Sequence, residues 1–252
     1  QTCALPIYPP RLPERVRDDP ARGAEARVYE ALSTLDDAYS VFYSVAWHAR
    51  VKGRARDGEA DFVIAHAQHG LLVLEVKGGR VGRDVQGWHS LDGRGTRHAI
   101  EDPEEQARRN HYSLLDKLRE FPGWATGRFI RAGHAVMFPD CAVEEALTLD
   151  LPKAIVLGFK DLFLLRKRVP ALFQHYGAVA GAREGLGEDG VELLADTLGP
   201  RFELRCPLGV SLAEDDRRIL TLTEQQMDAL DLLSRQRRVV IRGAAGTGKT
   251  RT

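Results

Sequence analysis

The stretch G-E-A-D-F-V-I-A-H-A-Q-H-G-L-L-V-L-E-V-K-G-G, Gly58 to Gly79, holds two short apolar runs, Asp61 to Ala65 and Leu71 to Lys77, around His66-Ala67-Gln68-His69-Gly70. Val, Ile and Phe enrichment on either side of a Gly-bearing five-residue connection is a β-hairpin signal. Symmetry about Gln68 sets Asp61 opposite Glu75. Opposed residues share a face, and Lys77, two residues on, shares it too. Two carboxylates and an ammonium then converge at one end of an otherwise apolar hairpin. A slip of one residue would divide the trio between the two faces.

Such a group is costly to bury unless its charges pair or bind a metal. Asp and Glu oxygens at that separation suit a hard divalent cation such as Mg2+, which usually keeps several waters. A cation there polarises a phosphoryl oxygen and lowers the pKa of a bound water, with Lys77 steadying that water or the developing charge. The same residues also read as a strand-end salt bridge between Lys77 and one carboxylate. A short D…ExK pattern does not by itself decide between the two.

Upstream, Ala24, Val28, Leu32 and Leu35 form one stripe at helical spacing over 21–35, with Glu25 on its edge. That carboxylate points at a site or simply favours the first helical turn through the dipole. Tyr39 to Trp47 alternates aromatic and β-branched residues and predicts a strand. It runs into R-V-K-G-R-A-R, whose Arg50, Lys52, Arg54 and Arg56 read as a solvated loop or as a holder of phosphates. Residues 1–20 are rich in Pro and Arg without a period, which predicts a disordered tail. The opening Q-T-C-A-L-P-I looks like translated sequencing adaptor and is set aside.

Downstream, Arg80 to Arg97 is Gly-rich and polar around Trp88, which predicts a short strand and loops. Asp102-Pro103-Glu104-Glu105 marks a helix start, with Asp as N-cap and Pro at the first helical position. Ala107, His111, Leu114, Leu115 and Leu118 form its buried stripe. Gln106 and Asn110 lie one turn apart and reach a common target or are ordinary helix surface. His134–Phe138 and Ala154–Leu157 read as buried strands, Leu162–Tyr176 and Val191–Leu198 as helices. This order predicts an α/β layer with a mixed sheet.

Residues 201–221 read as a linker, and 222–252 as the start of a second domain. There Arg238-Val239-Val240-Ile241 predicts a strand ahead of G-A-A-G-T-G-K-T. Gly243, Gly248, Lys249 and Thr250 match the phosphate-loop pattern in full. Its glycines, Gly246 included, let backbone N–H groups wrap phosphates, Lys249 reaches the outer phosphates and Thr250 ligates Mg2+. The sequence ends two residues later, so ATP binding and motor activity are expected only of a longer chain.

Composition bounds the alternatives. The 252 residues are 43% hydrophobic and 29% charged, an ordinary globular balance. Lys plus Arg and Asp plus Glu both number 36, so nucleic-acid binding must come from local basic patches. Cys3, Cys141 and Cys206 form no CxxC or paired framework, which favours a reducing compartment. No apolar run approaches the roughly 18 residues of a membrane helix, and no signal-peptide pattern opens the chain. A soluble, cytoplasmic protein is expected.

With these residues in view, the chain resembles the nuclease-related domain (NERD) family, joined to the beginning of a superfamily-one-type DNA helicase. G-A-E-A-R-V at Gly23, G-E-A-D-F-V at Gly58, L-V-L-E-V-K-G-G at Leu72, D-P-E-E-Q-A at Asp102 and H-A-V-M-F-P at His134 carry the first likeness. L-T-E-Q-Q at Leu222, followed by the phosphate loop, carries the second and implies an adenine contact at Gln226. The family resemblance implies a restriction-endonuclease-like core of the PD-(D/E)xK kind over 21–200, a mixed sheet with flanking helices, followed by the truncated start of a P-loop NTPase domain. It implies Asp61 and Glu75 as ligands to Mg2+ or Mn2+, Lys77 as the catalytic lysine, Glu25 as the helix-borne acid and Gln106 as the helix glutamine near the site. Ala24 stands where such a family has Gly. The implied activity is DNA cleavage beside an ATP-dependent motor; a nuclease fold kept only for docking DNA or a partner is the alternative.

Overall fold

The two strands that embrace Asp61 are longer than the hairpin alone predicts. In the computed structural model, which describes residues 6–51, 54–121, 123–124, 130–179 and 184–199 (backbone only at 48–51, 54–57 and 179), β2 (Tyr39–Val51) and β3 (Arg54–His66) pair antiparallel over almost their whole length. The described residues all fall on the N-terminal side of a division of the chain after Pro200. β3 turns at His66 into β4 (Gly70–Val76), with pairs from Phe62↔Leu74 to His66↔Gly70. That is the register that symmetry about Gln68 predicts.

Two further strands extend the sheet in parallel. β8 (Ala132–Phe138) lies beside β4, and β9 (Val156–Gly158) beside β8. β1 (Ile7–Tyr8) closes the other edge, parallel to β2, so the six-stranded order is β1-β2-β3-β4-β8-β9. β4 and β8 are buried at every residue, as strands covered on both faces must be.

Alternation along the central strands divides the core. Phe62, Ile64, Leu72 and Leu74 pack with α2 (Gly23–Leu32) and α5 (Leu165–Val179). Val63, Ala65, Leu71 and Val73 pack with α3 (Pro103–Leu118) and α6 (Gly187–Leu198). Helices on both faces of a mixed sheet make a three-layer α/β arrangement. Between β4 and α3 the chain builds a separate antiparallel sheet from β5 (Arg80–Asp84), β6 (Gly87–Leu91) and β7 (Arg97–Ala99). One short strand was expected there; three form.

Two other expectations change. Residues 6–20, read as tail, hold β1, α1 (Glu14–Arg17) and a 3-10 turn at Pro20–Arg22. Ile7, set aside with the opening residues, pairs with Val41 in β1, the Tyr8 ring stacks on Phe42 at 5.1 Å, and Val16 is buried. A few apolar anchors hold this segment where no periodicity announces it. The helix expected over 162–176 divides into α4 (Phe159–Leu162) and α5. The predicted linker, adenine contact and phosphate loop, with Gln226, Gly243, Gly246, Gly248, Lys249 and Thr250, lie outside the described residues.

The hairpin turn depends on Gly70, whose φ of 101° is disfavoured for any side chain. A Cβ there would lie 1.9 Å from the Arg131 carbonyl oxygen. Gly70→Ala should therefore lower stability by more than about 2 kcal/mol, read as a fall in urea midpoint at unchanged slope. An unchanged midpoint would contradict the turn geometry.

Candidate active site

The sheet ladder opens at Asp61. Toward β4, pairing stops at Phe62↔Leu74, and the Val76 amide instead donates to Asp61 Oδ2 at 2.8 Å. Toward β2, the register passes from Tyr43↔Phe62 to Val45↔Ala60 without a pair between Asp61 and Ser44, whose φ is 51°. Asp61 is thus released from backbone pairing on both flanks, and its side chain takes over as acceptor.

Glu75 is 1% exposed in a strand otherwise made of apolar residues and glycine. Its Oε1 accepts from Lys77 Nζ at 2.8 Å, and its Oε2 is buried with no hydrogen-bond partner. Burial pushes the Glu75 carboxyl above the usual carboxylate range, against the Lys77 ammonium and the Asn110 amide, which favour the ion. Asp61 is pushed up to about 8, first by burial and then by the charge of Glu75, with Glu25 adding to the effect. Two neighbouring carboxyls in one dry corner cannot both ionise cheaply. A carboxylate oxygen left without a donor there is an open acceptor position.

Glu25, in the first turn of α2, stands close enough to act on Asp61 but is held by others. Its Oε2 accepts from the Tyr43 hydroxyl at 2.6 Å and from Arg22 at 2.9 Å, while Oε1 accepts from Arg22 Nε at 3.2 Å. Burial and then this bond raise the Tyr43 phenol. The helix sits close because Gly78 has no side chain: a Cβ there would lie 2.6 Å from that of Ala24. The methyl of Ala24 therefore fits against the glycine that follows Lys77.

α3 supplies the opposite wall. Asp102 caps it, Oδ1 accepting from the amides of Glu104 at 3.0 Å and Glu105 at 3.3 Å, while Oδ2 accepts from Trp88 Nε1 at 2.9 Å. Gln106 is partly buried on this helix. Asn110, one turn later and 4% exposed, reaches the site: its Nδ2 donates to the Glu59 carbonyl, and its amide acts on Glu75. Sequence reasoning raised Asn110 only as a companion of Gln106. Arg22 and Tyr43 carried no signal, since neither belongs to a short motif. Of the basic run, the backbones of Arg50, Arg54 and Arg56 lie in β2 and β3, while their side chains, and Lys52 altogether, fall outside the described residues.

Glu25, Asp61, Glu75 and Lys77 thus meet at the end of β4 where the strand leaves the sheet. Residues 21–139 match the nuclease-related domain (NERD) family. No curated protein matches the chain, and no solved structure does. The NERD match runs from just before α2 to just beyond β8, so it contains every residue of the candidate site. Among the described residues no group of three or more His, Cys, Asp or Glu side chains is placed to hold a metal ion. The NERD segment offers two carboxylates, both hard oxygen donors. That set suits Mg2+, which takes one or two protein carboxylates and completes its octahedron with water and substrate phosphate.

The raised Asp61 has a consequence for stability. Its ordinary value is 3.8, so between that pH and about 8 the metal-free folded protein holds a proton that the unfolded chain has released. Stability is full below the lower value and declines as pH rises through the upper one. In EDTA, urea midpoints should fall from about pH 5 to about pH 9, and Asp61→Asn should flatten that decline. A midpoint that rises over this range in the wild type would refute the assignment.

Proposed function

We propose that this protein is a metal-dependent nuclease that hydrolyses phosphodiester bonds of DNA. The observation that carries the reading is the pairing of buried Glu75, with its unpartnered Oε2, and Asp61 at the point where the sheet ladder opens. Neither structural salt bridging nor packing accounts for a bare carboxylate oxygen inside the fold. The match of residues 21–139 to a nuclease-related domain supports the same conclusion.

Asp61 and Glu75 would hold Mg2+ or Mn2+, which when bound polarises a phosphoryl oxygen and acidifies a water. The rest falls to the chain's own groups. Lys77, anchored on Glu75 and 20% exposed at its side chain, presents an ammonium to the water or to charge developing on phosphate. Glu25, held in place by Arg22 and Tyr43, acts on Asp61 through its charge and favours a cation there. Asn110 holds α3 to the edge of β3 and steadies Glu75. Gln106, one turn before it, faces substrate in this reading. Arg50, Lys52, Arg54 and Arg56 would contact the phosphates flanking the scissile bond. We read the phosphate loop at 243–250 and Gln226 as the ATP site of an attached DNA helicase, on the sequence motifs alone.

A second reading is a nuclease fold kept as a docking module for DNA or a partner. It is favoured by the absence, among the described residues, of a third metal-ligating side chain beside Asp61 and Glu75.

The test is cleavage of single- and double-stranded DNA by purified wild type and variants. Mg2+ or Mn2+ should support turnover, EDTA should stop it, and Ca2+ should occupy the site without turnover. Glu75→Ala should abolish cleavage. Lys77→Ala should retain metal binding and lose on the order of 100-fold or more in rate. Equal cleavage by wild type and Glu75→Ala would refute the site. DNA binding without cleavage by wild type would favour the docking module.

A further inference from the structure

Beside the candidate active site lies a cavity of about 260 Å3 whose walls include Val81, Arg83, Trp88, Phe138, Ala142 and Leu147. It is just smaller than the range typical of sites for drug-sized ligands. Its back wall is aromatic: the Trp88 and Phe138 rings stack 11° from parallel with centroids 6.3 Å apart, and both residues are buried. The Trp88 indole N–H is engaged by Asp102, so the ring offers the cavity no donor, only apolar surface beside Phe138 and Arg83. At the rim, the exposed Arg83 guanidinium sits 5.7 Å from the centre of the Trp88 ring. A flat group with an apolar face and an attached anion fits this combination.

The cavity lies a short length of chain from the carboxylate site. Lys77 N donates to the Met137 carbonyl, next to Phe138, at 2.9 Å. Only Gly78 to Arg80 separate Lys77 from Val81, so Lys77 and Val81 are at most about 14 Å apart along the chain. The thiol of Cys141 fastens this segment to the loop after β8, donating to the Gly79 carbonyl and accepting from Val81 N, both at 3.4 Å. Both features lie at the carboxyl ends of the parallel strands β4 and β8, where open α/β sheets bind ligands.

We propose that this cavity is a subsite for one unpaired nucleobase of the strand being cut, so that the enzyme acts on single-stranded or locally unpaired nucleic acid. The inference rests on the nuclease reading above. The base packs against the apolar Trp88–Phe138 wall and Arg83 meets the adjoining phosphate, the pairing of aromatic surface and cation by which proteins hold single strands. A duplex cannot present a base this way unless the base leaves its stack.

The test uses the full chain in Ca2+, with fluorescein-labelled single-stranded oligonucleotides that carry an abasic sugar at successive positions, read by anisotropy. One position should show binding weakened about five- to tenfold when its base is missing. Ala142→Trp, which fills the cavity from its exposed rim, should erase that dependence while retaining oligonucleotide binding. Arg83→Ala should weaken binding of intact and abasic strands alike. Equal affinity at every abasic position would overturn this inference and leave the nuclease reading standing. So would a position dependence that survives in Ala142→Trp. No binding of any single-stranded oligonucleotide would also overturn this inference, while the cleavage assay on double-stranded DNA decides the nuclease reading separately.

Discussion

The structure turns on the burial of Glu75. β4 is buried at all seven of its residues, and a carboxylate among them carries a desolvation cost that nothing apolar can offset. Only part of that cost is met: Lys77 pairs with Oε1, and Oε2 stays bare. The neighbouring Asp61 responds by holding its proton. A core designed for stability alone would place a Leu or Val at position 75. The fold therefore keeps an arrangement that is unfavourable for stability, and in the proposed reading it does so for a cation, so that stability and chemistry pull in opposite directions at this point.

Keeping that arrangement requires both helical layers to be fixed to one strand end. On one side the Ala24 methyl fits against Gly78, and the Arg27–Asp140 ion pair and the Gly79 N–H bond to Asp140 tie α2 to the segment after Lys77. On the other, Asp102 caps α3 and grips Trp88, so the small sheet β5-β6-β7 is joined to the helix that carries Asn110. These ties are short polar contacts between elements far apart in sequence. They rank the loops around Gly78 and Asp140 with the site rather than with its surroundings.

Much of this was legible in the sequence because two short-range rules apply cleanly. Two apolar runs folded symmetrically about a Gly-bearing turn at Gln68 gave the hairpin register, and Asp-Pro-Glu-Glu gave the start of α3. What escaped is long-range. Nothing local predicts that Arg22 and Tyr43 take up Glu25, since the three meet only when α2 packs across β2. Gln106 and Asn110 looked equivalent at one-turn spacing; helix rotation set by Leu114 and Leu118 in the core turns Asn110 inward. β1 escaped because two residues carry no period. The basic run from Arg50 to Arg56 read as a loop because charge masks extended backbone, yet Arg50 pairs with Ala55 and Arg56 with Ala49.

The span matched by the NERD family ends at residue 139, but the folded layer does not. Val156 and Leu157 of β9 are fully buried against β8, and Leu172 and Phe173 of α5 enter the same cluster as Ile64 and Leu72. Leu186 and Leu194 close the opposite face against Val63 and Val73. The Tyr176 hydroxyl donates to the His134 carbonyl, and its ring lies where a Cβ on Gly133 would be, so α5 is seated directly on β8. Removing residues 140–199 would expose β8, the strand whose Met137 carbonyl holds the Lys77 backbone. The segment after residue 139 thus seats β8 and, through the Met137 carbonyl of that strand, helps to hold the Lys77 backbone in place.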